Sequence, residues 1–447
     1  MKNKKWVVSF VLVTLGVTAA VVDPGESRAQ GQQLAPANNQ VRPLAKANVT
    51  LTRVKPSTAE TTAAKAHNFG LVAGATVALD EQTDRAPLIK KPTVVPRNTT
   101  PKLNIGKFGE TVHAALKDKV RGYALGLRKN GQHVLTLIWD WSKTPQEGGQ
   151  GWTLDTRMHV ASVSKLMTAF VAVKALHDSG RSFDTQIGAF LPAYWDAPSR
   201  SQQVTFRNLL THRGGFTNHD GDYKSFKQQV EQGISANSSY KYTNGSFSLV
   251  RVLTSTMTGA VNPNLYYEFP FTEEALNDAL WDSKTQQAFL NYAQSKVFTP
   301  SGVANVSAAP GTVGAYGYSG KTDTKGWNSG NVSGQLGGAG FRLSVNDLLN
   351  VMGTFRRKGT IVPASKAKEA IEAGLGIDQI ITTPAGTIYN KNGRWQNGST
   401  ASADTEQSLV YFMPEDIELA VLVNSWIGTE QASLRGTITN AYLANLE

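Results

Sequence analysis

From residue 108 onward the apolar positions recur with the periods of folded elements. Phe108 to Val120 is spaced as an amphipathic helix. Gly122–Arg128 and His133–Trp139 alternate as two strands around Lys129-Asn130-Gly131-Gln132, where Asn-Gly signals a tight hairpin. Leu166, Phe170 and Val173 repeat at i, i+4 and i+7, which predicts a buried helix over 162–178, ending near Ser179-Gly180. The middle of the chain reads as helix and loop, with a short helix opened by Thr205 and helical runs over Ser246–Met257 and Phe289–Val297. After a flexible turn at Gly337–Gly340, Ser344 and Asp347 are spaced to cap a helix running through Leu349. Strand patterns return at Thr387–Asn390, Ser408–Phe412 and Ile417–Val423, with Met413-Pro414-Glu415-Asp416 as a turn, and Thr429–Leu446 predicts a terminal helix. Strands at both ends with helices between them predict an α+β (mixed α/β) fold. Its mainly antiparallel sheet is formed by both ends of one domain, flanked by helices, with an all-helical and loop subdomain inserted.

The first hundred residues follow other rules. Lys2, Lys4 and Lys5, the apolar run Trp6–Val22 and the small residues of Ser27-Arg28-Ala29 read as an export signal over 1–29, cleaved before Gln30. The competing reading is an uncleaved anchor, which a run of this length barely permits. Residues 30–104 are rich in Ala, Thr, Asn, Gln and Pro without a sustained period, and are expected to be a poorly ordered leader, in which only Phe69–Ala73 suggests docking. The folded domain is therefore expected over 105–447, exported to a periplasm or the exterior, with no stable membrane span after cleavage. The chain has no cysteine, which rules out disulfides and thiolate metal sites.

The whole chain carries a net charge of +11, and loses four cations and two carboxylates with residues 1–29, so the mature protein stays basic at +9. No dense Lys/Arg stripe with interleaved aromatics is present, so the excess suits anionic envelope polymers or small anionic substrates better than nucleic acid.

The chemistry centres on Ala161-Ser162-Val163-Ser164-Lys165. If Ser162 opens the 162–178 helix, Lys165 lies one turn on along the same face, within reach of the serine hydroxyl. A serine needs such a neighbour to become a nucleophile, and the positive end of a helix favours the developing alkoxide. The spacing alone is common: Ser238–Lys241 and Ser365–Lys368 share it, and a serine cap with a solvated lysine is the bland alternative. Tyr242-Thr243-Asn244, in a polar loop before a helical run, and Lys391-Asn392-Gly393 follow in order.

That order of three motifs resembles the penicillin-recognising serine hydrolases, above all the class C β-lactamases, the D-alanyl-D-alanine carboxypeptidases and related esterases. The resemblance covers roughly residues 106–447 and includes Thr205–Phe216, Phe298–Val303 and Gly338–Leu348. It implies that Ser162 is acylated, that Lys165 keeps the proton network in place, and that Tyr242, its pKa lowered by two lysines, is the general base. It further implies that Asn244 holds a substrate amide, Lys391 a substrate carboxylate, and Gly393 leaves a strand edge bare for the substrate backbone. The backbone N–H groups of Ser162 and Arg394 would form the oxyanion hole. Three departures stand out: Asn392 occupies the usual threonine position, Gln396-Asn397-Gly398 offers a second register for the third motif, and Arg213 and Gly214 stand where the family usually carries Thr-Ser.

Rival chemistries lack their signatures. There is no Gly-x-Ser-x-Gly elbow, no His-Glu-x-x-His among the seven histidines, and Gly337–Gly340 lacks the Lys-Ser/Thr of a phosphate loop. No cofactor or metal is expected, and His212 and His219 are assigned structural roles. The expected function is an exported serine hydrolase acting through an acyl-enzyme on Ser162, on a D-alanyl peptide or β-lactam amide from the cell wall's chemistry. The alternatives are an esterase of the same family, or a penicillin-binding or cell-wall sensor module that does not turn over.

Overall fold

The computed structural model describes residues 51–62, 64, 100–269, 274–311, 314–399 and 403–447. Both the export signal and the Phe69–Ala73 segment lie outside them.

Seven antiparallel strands make the central sheet, in the order β4-β3-β2-β11-β10-β9-β8. The chain's first half supplies β2 (Gly122–Lys129), β3 (Gln132–Lys143) and β4 (Gln150–Gly151). The C-terminal part supplies β8 (Gln379–Thr383), β9 (Gly386–Gln396), β10 (Thr405–Met413) and β11 (Ile417–Val423). The β2–β3 turn places Asn130 and Gly131 at φ 50° and 78°, the left-handed pair that a two-residue hairpin turn requires. Strands β10 and β11 are buried along their whole length, which explains the apolar runs of β11 and of Leu409–Met413 in β10, whereas Thr405–Ser408 of β10 are polar though buried.

Strand alternation divides the core between two faces. Tyr123, Leu125 and Leu127 of β2 and Leu419, Val421 and Val423 of β11 pack with α1 (Ile105–Leu116) and the terminal helix Leu434–Ala444 through Phe108, Val112, Ile438 and Tyr442. On the other face, Ala420, Leu422, Val410 and Phe412 meet α2 (Ser164–Asp178) and the helical subdomain. Twelve of the fifteen residues of α2 are buried, so this helix is apolar on nearly every side and is seated in the core. Phe170 stacks on Phe355 at 3.8 Å between ring centroids. Thr205 and Ser344 cap their helices with full reciprocal capping boxes, with Asn208 and Asp347 as partners.

Several elements differ from the sequence pattern. The first helix starts three residues early, at Ile105, and the terminal helix starts at Leu434 because Ser433 caps it there. Strand β8 and the helices Tyr223–Gln232 and Ala364–Glu372 are further elements that the sequence reading leaves out; both helices are amphipathic but polar overall, with few apolar residues to mark them. Residues 51–62, placed by composition in a poorly ordered leader, hold a strand, β1 (Thr52–Val54), that pairs in parallel with β6 (Leu265–Tyr267). Ion pairs of Arg53 with Glu268 and of Glu60 with Lys284 accompany it. Three residues pairing across two hundred positions of sequence leave no local trace.

Candidate active site

The two residues of β5 (Met158–His159) pair with β7 (Arg342–Leu343) and lead into a 3-10 turn, Ala161–Val163, before α2 begins at Ser164. Ser162 therefore lies in the turn ahead of the helix rather than opening it. Ala161 takes a left-handed φ of 44°, uncommon for a residue with a Cβ and of the kind found where backbone strain sets a functional side chain. Neither the turn nor α2 uses a serine side chain as its cap, so the Ser162 hydroxyl is not engaged in capping.

Residues three apart in so tight a turn lie nearly one above the other. The fully buried Lys165 Nζ lies 3.0 Å from Ser162 Oγ, 2.6 Å from Asn244 Oδ1 and 3.0 Å from the Gly338 carbonyl oxygen. Asn244 is the first residue of its helix, Asn244–Met257, whose cap is Thr243. The Gly337–Gly340 turn delivers two carbonyls: Gly338 to Lys165, and Gly337 to the Thr168 hydroxyl at 2.7 Å.

Tyr242 is buried between cations and an imidazole. Lys165 Nζ lies 4.7 Å and Lys391 Nζ 5.1 Å from its ring centroid, and Lys391 Nζ donates to its hydroxyl at 3.2 Å. His212 stacks on the ring at 4.3 Å, and its Nδ1 accepts the Thr243 N–H at 3.3 Å, so the proton of a neutral ring sits on Nε2. Burial, followed by the charges of Lys165 and Lys391, pushes the His212 pKa well below its ordinary value. The native protein therefore keeps this imidazole neutral, while the unfolded chain protonates it below about pH 6.5. Stability contributed here is present above that pH and is lost as pH falls, by up to about 1.4 kcal/mol per unit. We expect His212→Asn, which keeps an acceptor and tolerates the left-handed backbone (φ 57°), to flatten the acid limb of a denaturant-midpoint profile measured from pH 7 to 5.

Strand β9 carries the third motif. A Cβ on Gly393 would lie 2.5 Å from the Val160 carbonyl, 2.6 Å from Ser408 Oγ and 2.8 Å from the Ser162 nitrogen, so only glycine lets the strand pass the nucleophile turn this closely. This places Lys391-Asn392-Gly393 beside Ser162, whereas Gln396 to Gly398 lie at the far end of the strand, where the Gln396 side chain bonds the Gly398 carbonyl. The Asn392 N–H points away from β10, to Asp378 Oδ2 at 3.1 Å. By strand alternation the Arg394 N–H, two residues on, leaves the same edge. Gly393→Ala is expected to cut the acylation rate on the order of 10²-fold by displacing the strand, as stopped-flow acylation would show.

The other two Ser-x-x-Lys matches are not assembled this way. Ser238 Oγ donates to the Ser235 carbonyl and Lys241 to the Thr217 carbonyl, while Lys368 is exposed and paired with Glu372.

Residues 108–442 match the family model described as Beta-lactamase. The chain belongs to the β-lactamase family. Among curated proteins, a D-aminopeptidase from Cereibacter sphaeroides is 23% identical over 236 residues, covering 51% of this chain and 42% of its own length. This chain thus spans less than half the length of that relative. A class C β-lactamase from Rhodobacter sphaeroides shares the fold with a TM-score of 0.53 at 17% identity, covering 76% of this chain and 98% of its own. A β-lactamase/D-alanine carboxypeptidase from Yersinia pestis does so at 0.55 and 16% identity, covering 76% and 95%.

In this β-lactamase-family chain the structure also gathers residues that no motif announces. Asp378, just ahead of β8, and Arg435, on the terminal helix, converge on Lys391. Asp378 Oδ2 lies 2.9 Å from both Lys391 Nζ and Arg435 Nη2, and Arg435 also bonds Asn392 Oδ1. Burial alone would push the Asp378 carboxyl up, but Lys391 and Arg435 outweigh it and hold the pKa below the ordinary value. A lone aspartate and a lone arginine 57 residues apart give no pattern in sequence.

Proposed function

We propose that the chain is an exported serine hydrolase that forms an acyl-enzyme on Ser162. The observation that carries this reading is the buried contact of Lys165 Nζ with Ser162 Oγ, 3.0 Å, on a turn against which β9 packs at Gly393. A substrate carbonyl held along the edge of β9 would lie between Ser162 and the N–H groups of Ser162 and Arg394, the donors that take the charge of the tetrahedral intermediate. Asn244 Oδ1 is engaged by Lys165, which leaves its amide NH₂ as the end able to donate to a substrate carbonyl. Tyr242 serves as general base, with Lys165 and Lys391 favouring the charge of its phenolate.

A second reading rests on the partners of Lys165. Asn244 Oδ1 and the Gly338 carbonyl can only accept, so a neutral amine could give its two hydrogens to them and turn its lone pair to the Ser162 hydroxyl, acting as the base itself.

For the substrate we propose an acyl donor that is either a peptide-type amide, as the name of the D-aminopeptidase relative suggests, or an ester. The sequence expectation ranks the amide first by giving Lys391 a substrate carboxylate. In the structure Lys391 is engaged by Tyr242, Asp378 and Asn392, so that ranking loses its ground, and amide and ester stand level. Labelling with a fluorophosphonate reagent, followed by peptide mapping, tests the nucleophile: modification of Ser162 supports the reading, and modification elsewhere or nowhere counts against it.

A further inference from the structure

We infer that Asp378 is a specificity-determining residue that commits the Lys391 cation to the protein, so that the site favours substrates without a carboxylate next to the scissile bond. This rests on the acyl-enzyme reading above and deepens it.

An ammonium has three hydrogens to donate. Those of Lys391 point to Tyr242 OH at 3.2 Å, Asp378 Oδ2 at 2.9 Å and the Asn392 carbonyl at 2.8 Å, and the side chain is 1% exposed. A substrate carboxylate could reach this nitrogen only by displacing one of these partners. The cheapest to displace, Tyr242, is the group the reaction needs. Arg435, the neighbouring cation, is drawn to the same oxygen of Asp378 and to Asn392 Oδ1. Two cations and one carboxylate thus form a closed, buried cluster behind Tyr242, with the Asn392 N–H as a further donor to Asp378.

The carboxylate does more than neutralise. Asp378 Oδ1 is buried without a hydrogen-bond partner, so a second anion brought to this cluster would face an unsatisfied, negatively charged oxygen as well as losing water. Removing the charge of Asp378 while keeping its shape should therefore loosen Lys391 and Arg435 together and let an incoming carboxylate take the place of the lost one. Specificity arises here from a built-in anion that occupies the donors of Lys391 and Arg435 and offsets part of their charge, as much as from contacts with the right substrate.

The test compares two aryl esters of one acyl group, one with a meta-carboxylate and one with a meta-carboxamide on the leaving phenol, in the wild-type full chain and in Asp378→Asn. The wild type is expected to prefer the neutral ester, or to discriminate less than about threefold. Asp378→Asn should shift the ratio of kcat/KM at least tenfold toward the anionic ester, and added salt should reduce that shift. A wild-type preference of tenfold or more for the carboxylate would overturn the inference without any variant, and so guards against a variant that fails to fold. Equal changes on both esters in a folded Asp378→Asn protein would also overturn it. Fluorophosphonate labelling of Ser162 in the same preparations separates the two readings: lost labelling indicts the acyl-enzyme, whereas an unshifted ratio with labelling intact indicts Asp378 alone.

Discussion

Replacing Ser162 with alanine is expected to abolish labelling by serine-directed reagents and to lower turnover of any acyl substrate by at least ~10³-fold, leaving the fold intact. Ser162 is 4% exposed and lies in a turn held by backbone and by neighbours: Val163 N–H to the Val160 carbonyl at 3.0 Å, and Ser408 Oγ to that same carbonyl at 2.6 Å. None of these bonds uses the Ser162 hydroxyl. Its removal leaves Lys165 with Asn244 Oδ1 and the Gly338 carbonyl, so the thermal midpoint should move little. Labelling that persists in the variant and maps to Ser238 or Ser365 would transfer the nucleophile to another serine, against the surroundings of both.

Tyr242→Phe is expected to slow acylation by about 10²–10⁴-fold, the range for loss of a general base. The hydroxyl receives the Lys391 Nζ bond, so the variant also frees one donor of a buried cation and should cost on the order of 1–3 kcal/mol of stability. The ring itself remains, with the His212 stack and both cation contacts. Pre-steady-state acylation and a denaturant melt on the same protein separate the effects. A variant that loses stability but keeps its acylation rate would show Tyr242 to be a packing and cation-holding residue, and Lys165 would become the base.

Much of the fold was legible because most of the sheet obeys local rules. The hairpin at Asn130-Gly131, the strand Ile417–Val423 and the caps at Thr205 and Ser344 each follow from a few neighbouring residues. The sheet itself is antiparallel throughout, closed by strands from both ends of the domain, in line with the mainly antiparallel sheet that the element order predicts. The three motifs were legible by their order, and the structure brings Ser162, Lys165, Tyr242, Asn244, Lys391 and Gly393 into one region through Lys165, Lys391 and the close pass of β9.

What stayed hidden is non-local or lies in backbone. The left-handed Ala161 and the carbonyls of Gly337 and Gly338 carry no side-chain signal. Asp378 and Arg435 reach Lys391 from β8's leading edge and from the last helix, so their meeting exists only after the sheet has closed. The carboxylate role of Lys391 is an implication of the third motif's resemblance, and a motif shows a lysine's charge and not its partners. β1 was hidden for the same reason, being a three-residue pairing with no hydrophobic period of its own. No described helix is long and apolar enough to cross a membrane.

The most direct test is a time course of intact mass on the purified full chain, mixed with an activated ester and, separately, with a D-amino-acid peptide amide, quenched in acid and digested for site mapping. The expected result is a single added acyl mass on the peptide carrying Ser162, rising and then decaying as product accumulates, and absent from Ser162→Ala. Product released with no adduct at any time, or an adduct on a peptide that lacks Ser162, would contradict it.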